Sequence, residues 1–113
     1  MDDQYKNSFV VDGKLALPYQ YFAGRTGSRF ITTIRDEKKI MGLRCEGCGK
    51  VFVPPRSTCE RCFVDISDHW VDVKHTGTVT GFTIIRYEEP YQPVNPPYIQ
   101  ALIQLDGADT PLV

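Results

Sequence analysis

The stretch that decides the fold runs from residue 45 to residue 62: Cys45-Glu46-Gly47-Cys48-Gly49-Lys50-Val51-Phe52-Val53-Pro54-Pro55-Arg56-Ser57-Thr58-Cys59-Glu60-Arg61-Cys62. Two C-x-x-C pairs stand ten residues apart and use all 4 cysteines of the chain. Each pair forms a tight turn that aims two sulfurs at one point, and ten residues suffice for a hairpin that sets the turns face to face. Four thiolates so arranged match the tetrahedral demand of a zinc ion. A disulfide framework is the competing reading of four paired cysteines. The spacing favours a four-cysteine zinc ribbon with Cys45, Cys48, Cys59 and Cys62 as ligands of one structural Zn2+.

Outward from the ribbon, the composition is that of a globular protein. The chain has 113 residues, 42% hydrophobic and 24% charged, enough for one domain or two very small ones. So short a chain buries a modest core, which a structural metal supplements. No run approaches the ~18 apolar residues of a membrane span, and the start of the chain lacks a basic region followed by an apolar one. With reduced cysteines, this predicts a cytoplasmic protein.

The net charge of −1 hides an asymmetry. Residues 25 to 61 carry nine Lys/Arg against four Asp/Glu, whereas the rest of the chain carries four against ten. The cationic half is either a solvated face or a site for an anionic ligand, nucleic acid or a phosphate-bearing cofactor.

Before the ribbon, residues 1 to 17 scatter Tyr5, Phe9, Val10, Val11, Leu15 and Leu17 around Asp12-Gly13. They read as an extended arm that docks on a partner or as a locally packed strap. An aromatic stretch, Tyr19 to Phe22, ends at a break marked by Gly24 and Gly27. Ser28 is the expected N-cap of a helix through about Lys39, stopped by Gly42, with Phe30, Ile34 and Met41 on its apolar stripe.

After the ribbon the pattern changes to period two. Trp70 to His75 and Thr78 to Tyr87 read as the first two strands of a barrel, with a bulge at Gly81. Glu88 to Pro97, with four prolines in ten residues, reads as a loop, Tyr98 to Leu105 as a third strand and Pro111 to Val113 as the start of a fourth. The expected fold is mainly β with an N-terminal helical segment: a rubredoxin-like zinc ribbon followed by an OB-type β-barrel. Its parts are an arm and helical docking segment over 1–42, the ribbon over 43–66 and the barrel over 67–113.

This ordered set resembles one family, the small zinc-ribbon/OB-fold proteins described as acyl-CoA-associated. The residues that carry the resemblance are Ser28-Arg29-Phe30, Arg44-Cys45-Glu46-Gly47-Cys48-Gly49, Val53-Pro54-Pro55-Arg56, Cys59-Glu60-Arg61-Cys62, Trp70, Gly77-Thr78-Val79 and Phe82-Thr83. The resemblance implies a non-catalytic partner of a thiolase-fold enzyme, a benzylsuccinyl-CoA-type thiolase among them, that supports its assembly and its handling of CoA esters. Family barrels continue well beyond the Asp106-Gly107 position, so closure here is expected from further strands or from a partner.

No catalytic residue is expected. Every thiol is committed to metal, a four-thiolate site leaves no open coordination position, and His69 and His75 flank a strand as edge or packing residues. For the phosphates of a CoA ester the candidates are Arg29, Arg44, Lys50 and Arg56, with Arg61 beside them, because guanidinium and ammonium groups match phosphate. The alternative function is a single-stranded nucleic-acid-binding protein with Phe82, Tyr87 and Tyr98 as a stacking platform; the acidic barrel half argues against it. A rubredoxin-like electron carrier would need a much wider cysteine spacing.

Overall fold

The computed structural model describes residues 6–113, so Tyr5 of the expected arm lies outside the described residues. The elements are α1 (Gly24–Glu37), β1 (Ile40–Arg44), β2 (Val51–Phe52), β3 (Trp70–Val73), β4 (Gly77–Ile85) and β5 (Tyr98–Leu105). They form a three-stranded sheet in the order β2-β1-β3 and a two-stranded sheet of β4 and β5.

The helix begins and ends earlier than its sequence signals suggest. It starts after Ala23, which gives no side-chain cap, and it runs through Ser28, the expected N-cap. Lys38 ends it in a left-handed conformation (φ 57°), its N–H donating to the Ile34 carbonyl at 3.2 Å. Tertiary packing overrides the local preference here, because Phe30 and Thr33, one turn apart, are buried. Ile34 stays partly exposed and Met41 is not helical, so the expected stripe of Phe30, Ile34 and Met41 does not exist as such.

Gly42 is no helix stop; it is a buried residue of β1. A Cβ there would lie 2.8 Å from the Phe52 carbonyl oxygen and 2.8 Å from a Val53 methyl. Only glycine lets β1 and β2 approach this closely. The strands pair antiparallel with Leu43 opposite Phe52. On its other edge β1 pairs with β3, Ile40 opposite Val73 and Leu43 opposite Trp70.

That pairing shows which sheet the first of the expected barrel strands joins. Trp70 to Val73 belongs to the ribbon's sheet and not to the sheet that follows. Period-two alternation places residues on a face but does not say which sheet a strand joins. The following strands agree closely with expectation. β5 spans Tyr98 to Leu105, and the register of β4 slips between Val79 and Gly81, as a bulge at Gly81 requires. The start of a fourth strand is a two-bond bridge between Ile103 and Leu112.

One apolar cluster unites these parts: Phe30 of the helix, Val51 and Val53 of the ribbon, Val73 of β3, and Leu105 and Ala108 at the base of the β4–β5 sheet. Beyond that base the sheet stands clear of the core, with Phe82 67% and Ile99 64% exposed. The free edge of the ribbon is closed by a segment with no sequence signature of a strand. Asp109 accepts from the Val51 N–H through Oδ2 (2.8 Å) and donates its own N–H to the Val51 carbonyl (2.9 Å). The buried Thr110 hydroxyl accepts from the Val53 N–H (2.7 Å) and donates to the Val53 carbonyl (2.9 Å).

Thr110→Val keeps the shape of that side chain but strips both Val53 groups of their partner. A buried unpaired polar group costs about 1–3 kcal/mol. Thr110→Val is therefore expected to lower unfolding free energy in denaturant by about 2 kcal/mol, and Thr110→Ser to retain most of it.

Candidate metal centre

The two knuckles that hold the cysteines are built alike. In the first, Cys45 N–H donates to the Lys50 carbonyl (2.9 Å) and Gly49 N–H to the Cys45 carbonyl (2.7 Å). In the second, Cys59 N–H donates to the Val64 carbonyl (3.1 Å) and Phe63 N–H to the Cys59 carbonyl (2.9 Å). The residue after each second cysteine must turn left-handed to close this loop. Gly49 does so at φ 76°, and Phe63 does so at φ 56°. Glycine suits that conformation, so Phe63 holds a backbone that costs an ordinary residue about 1–2 kcal/mol.

The four Sγ atoms lie within 4.8 Å of one another. Cys45 and Cys59 are fully buried, and Cys48 and Cys62 are partly exposed. Zinc–thiolate bonds of ~2.3 Å in a tetrahedron set sulfurs ~3.8 Å apart, and Cys48 Sγ lies 3.7 Å from Cys59 Sγ. The residues therefore fit one structural zinc ion, with no position left for water. Leu43, Phe52 and Ile66 pack against Cys45 and Cys59 as a second, smaller core.

The thiols are electrostatically unequal. The Cys62 N–H, 3.4 Å from Cys59 Sγ, is the main reason that the Cys59 thiol is pulled down to about 7. Cys62 is pushed up to about 12, first by its hydrogen bond with Cys45 and then by burial. Like charges so close cannot all ionise without a cation, so a bound divalent ion and the four thiolates require each other.

The cationic residues around the centre are largely occupied. Lys50 and Arg56 both pair with Glu60 (Arg56 Nη1 to Oε2, 3.1 Å), which holds the Glu60 carboxyl below its usual range, Lys50 first and Arg56 second. Both also lie over the Phe52 ring, at 5.3 and 5.5 Å from its centroid. Arg29 of α1 stacks on Trp70 at 4.6 Å, which ties the helix to β3. Among the described residues no ion pair engages Arg44 or Arg61. An Arg44 guanidinium nitrogen lies 3.8 Å from where a Cβ on Gly49 would be. Gly49, with Cys48, Lys50, Arg61 and Asp109, lines an open cleft of about 380 Å³. The five expected phosphate contacts thus divide into three engaged side chains and two free ones, and Arg29 lies apart on the helix. The seat of Asp109 in that cleft was not legible, since nothing in Gly107-Ala108-Asp109-Thr110 announces contact with residues fifty positions earlier. His69 and His75 are exposed.

A four-thiolate ribbon ahead of an open antiparallel sheet defines a class, the zinc-ribbon/OB-fold proteins. Residues 32–67 match the model described as the ChsH2 rubredoxin-like zinc ribbon domain, and residues 70–113 match the ChsH2 C-terminal OB-fold domain. The chain belongs to this ChsH2-type, or DUF35, family. A DUF35 domain-containing scaffold protein of Methanocaldococcus jannaschii is 25% identical over 73 residues, 65% of this chain and 52% of that protein. The chain thus spans about half the length of the curated relative it matches. A DUF35-family protein of unknown function from Sulfolobus solfataricus superposes with a TM-score of 0.65 at 34% identity, over 79% of this chain and 66% of that one. The Ltp2-ChsH2(DUF35) aldolase superposes with a TM-score of 0.61 at 23% identity, over 79% and 67%, a likeness of fold.

Metal analysis is expected to give one zinc per chain, and Cys45→Ser to abolish cooperative unfolding, since a buried ligand cannot be replaced without loss of the ion. Phe63→Gly relieves the left-handed backbone of an exposed side chain. It is expected to raise stability by about 0.5–1 kcal/mol, the backbone relief being partly offset by the freer unfolded chain, as read by thermal denaturation of the zinc-loaded protein.

Proposed function

We propose that this chain is a non-catalytic accessory subunit, a scaffold for a thiolase-fold acyl-CoA enzyme in the cytoplasm. The observation that carries this reading is the closed metal centre. All four thiols are committed to one site that fits a structural ion, and the two histidines stand exposed on either side of β3. Such a site contributes folding free energy and rigidity, not a reactive position. The names of relatives support the role: one is a scaffold protein, and another shares its structure with Ltp2 in an aldolase. Among the described residues no helix is long and apolar enough to cross a membrane.

In this reading the CoA ester is bound mainly by the enzyme subunit. Contacts from this chain to its phosphates come first from Arg44 and Arg61, the free cations beside the cleft, and only secondarily from Arg29, Lys50 and Arg56, which would have to leave existing partners. The resulting complex carries out acyl-CoA degradation or synthesis.

Affinity purification of the tagged full chain from its native host is expected to recover a thiolase-fold subunit, identified by mass spectrometry. Recovery of nucleic acid in its place, lost steeply as salt rises, would replace the proposal. With the complex in hand, Arg44→Ala combined with Arg61→Ala is expected to weaken acyl-CoA binding in calorimetry by roughly tenfold, on the order of two charge-assisted contacts to phosphate, with zinc content unchanged.

A further inference from the structure

The four thiols of the metal centre do not meet solvent alike. Cys45 and Cys59 have no exposed surface, whereas Cys48 and Cys62 are partly exposed. The Cys62 sulfur is covered from the side of the first knuckle, where a Cβ on Gly47 would stand 3.3 Å from it. Cys48 instead lines the open cleft of about 380 Å³, together with Gly49, Lys50, Arg61 and Asp109. That space is roughly ten times the ~30 Å³ share of a water molecule, so a small solute reaches this sulfur directly.

The walls of the cleft suit a chemistry that structural metal binding leaves unused. Lys50 and Arg61 bring positive charge beside Cys48; Lys50 is shared with Glu60, and Arg61 has no ion pair among the described residues. The carboxylate that lines the cleft, Asp109, is turned to the ribbon, where its Oδ2 accepts from the Val51 N–H at 2.8 Å. A partly exposed thiolate beside cations is the setting in which cysteine reacts, whereas buried sulfurs are inert. A second sulfur stands ready, since Cys59 Sγ lies 3.7 Å from Cys48 Sγ.

We propose that Cys48 is a modification site, the point at which hydrogen peroxide oxidises the centre to a Cys48–Cys59 disulfide and releases the ion. This assignment goes beyond the accessory role and rests on the metal centre alone. The Cys48 thiolate attacks one oxygen of the peroxide: an S–O bond forms, the O–O bond breaks, and the leaving hydroxide takes a proton to become water. The Cys59 thiolate then attacks the sulfenic sulfur. The S–S bond forms, the S–O bond breaks, and this hydroxide too becomes water. Two thiolates, one peroxide and two protons thus give one disulfide and two waters, and the two electrons lost by the sulfurs are those gained by the peroxide. Arg61, in the same cleft, offsets the negative charge that develops on the departing oxygen. With Cys48 and Cys59 joined, Cys45 and Cys62 are the remaining ligands, and the knuckles lose the ion that closes them.

Release of zinc gives the test. The full zinc-loaded chain is treated with hydrogen peroxide in the presence of a chromogenic zinc chelator, then alkylated and mapped by mass spectrometry without reduction. One zinc is expected to leave for each peroxide consumed, with Cys48 and Cys59 joined and Cys45 and Cys62 alkylated. The thermal midpoint falls in step, and a dithiol reductant with added zinc restores it. Arg61→Ala is expected to slow the release about fivefold, as loss of a charge-assisted contact does. Arg86→Ala, just beyond the outer end of β4, is expected to leave the rate within about twofold, because salt screens so distant a charge. Zinc content and thermal midpoint of the untreated variants serve as folding controls. Zinc retained at millimolar peroxide, a disulfide that leaves Cys48 open to alkylation, or equal rates for Arg61→Ala and the wild type would each overturn the proposal. A wild-type chain that holds no zinc before any peroxide is added would overturn the metal centre itself, and this assignment with it.

Discussion

The convergence of four sulfurs within 4.8 Å is the constraint on which the rest of the structure depends. It closes two knuckles of the same hydrogen-bond pattern, and the closed knuckles bring β1 and β2 into register. β1 then offers its other edge to β3, and β3 leads directly into β4. Trp70 shows how local the dependence is: it packs against both apolar clusters, the one around the cysteines and the one that joins helix, ribbon and sheet. Without an ion the thiols are driven apart in acidity, with Cys59 near 7 and Cys62 near 12. An ion removes that conflict, and its binding free energy becomes folding free energy.

The ribbon was legible because its chemistry is local. A C-x-x-C turn states its ligands in four residues, and the ten-residue spacer states a hairpin. β5 was legible for a similar reason, since alternation from Tyr98 to Leu105 ends at the Asp106-Gly107 turn. What was not legible depends on distant partners. Ser28 has the chemistry of a cap, but burial of Phe30 and Thr33 draws the helix back to Gly24. Gly42 looks like a helix stop until β2 is known to pass 2.8 Å from its missing Cβ. Thr110 carries no local signal at all, because its partners on Val53 lie 57 residues away.

The β4–β5 sheet shows the opposite balance. Its base is fixed by Leu105, Ile103 and Leu112, while its distal half presents Phe82 and Ile99 to solvent. Two strands alone are marginal in water, and an OB fold uses five. The stability of this sheet therefore comes from the ribbon below it, through Val51, Val53 and Val73. Ribbon and sheet support each other through this shared core, because Leu105 packs on Val51 and Val53 and the Asp109–Thr110 segment that follows β5 closes the ribbon's free edge.

The charge asymmetry acquires a different meaning once the side chains are placed. In the sequence, nine cations over residues 25 to 61 suggest a surface for an anion. In the structure, Arg29 is stacked on Trp70, and Lys50 and Arg56 share Glu60 over the face of Phe52. A zinc ion with four thiolates carries a formal charge of about −2, so part of the remaining positive charge balances the centre itself. Arg35 pairs with Asp36, and of these nine Arg25, Lys38, Lys39, Arg44 and Arg61 are left without an ion pair among the described residues; of these, Arg61 lines the cleft beside the centre. The electrostatics and the closed metal centre thus belong to one account, in which Glu60, Trp70, Phe52 and the thiolates already engage much of the positive charge that the sequence gathers around the ribbon.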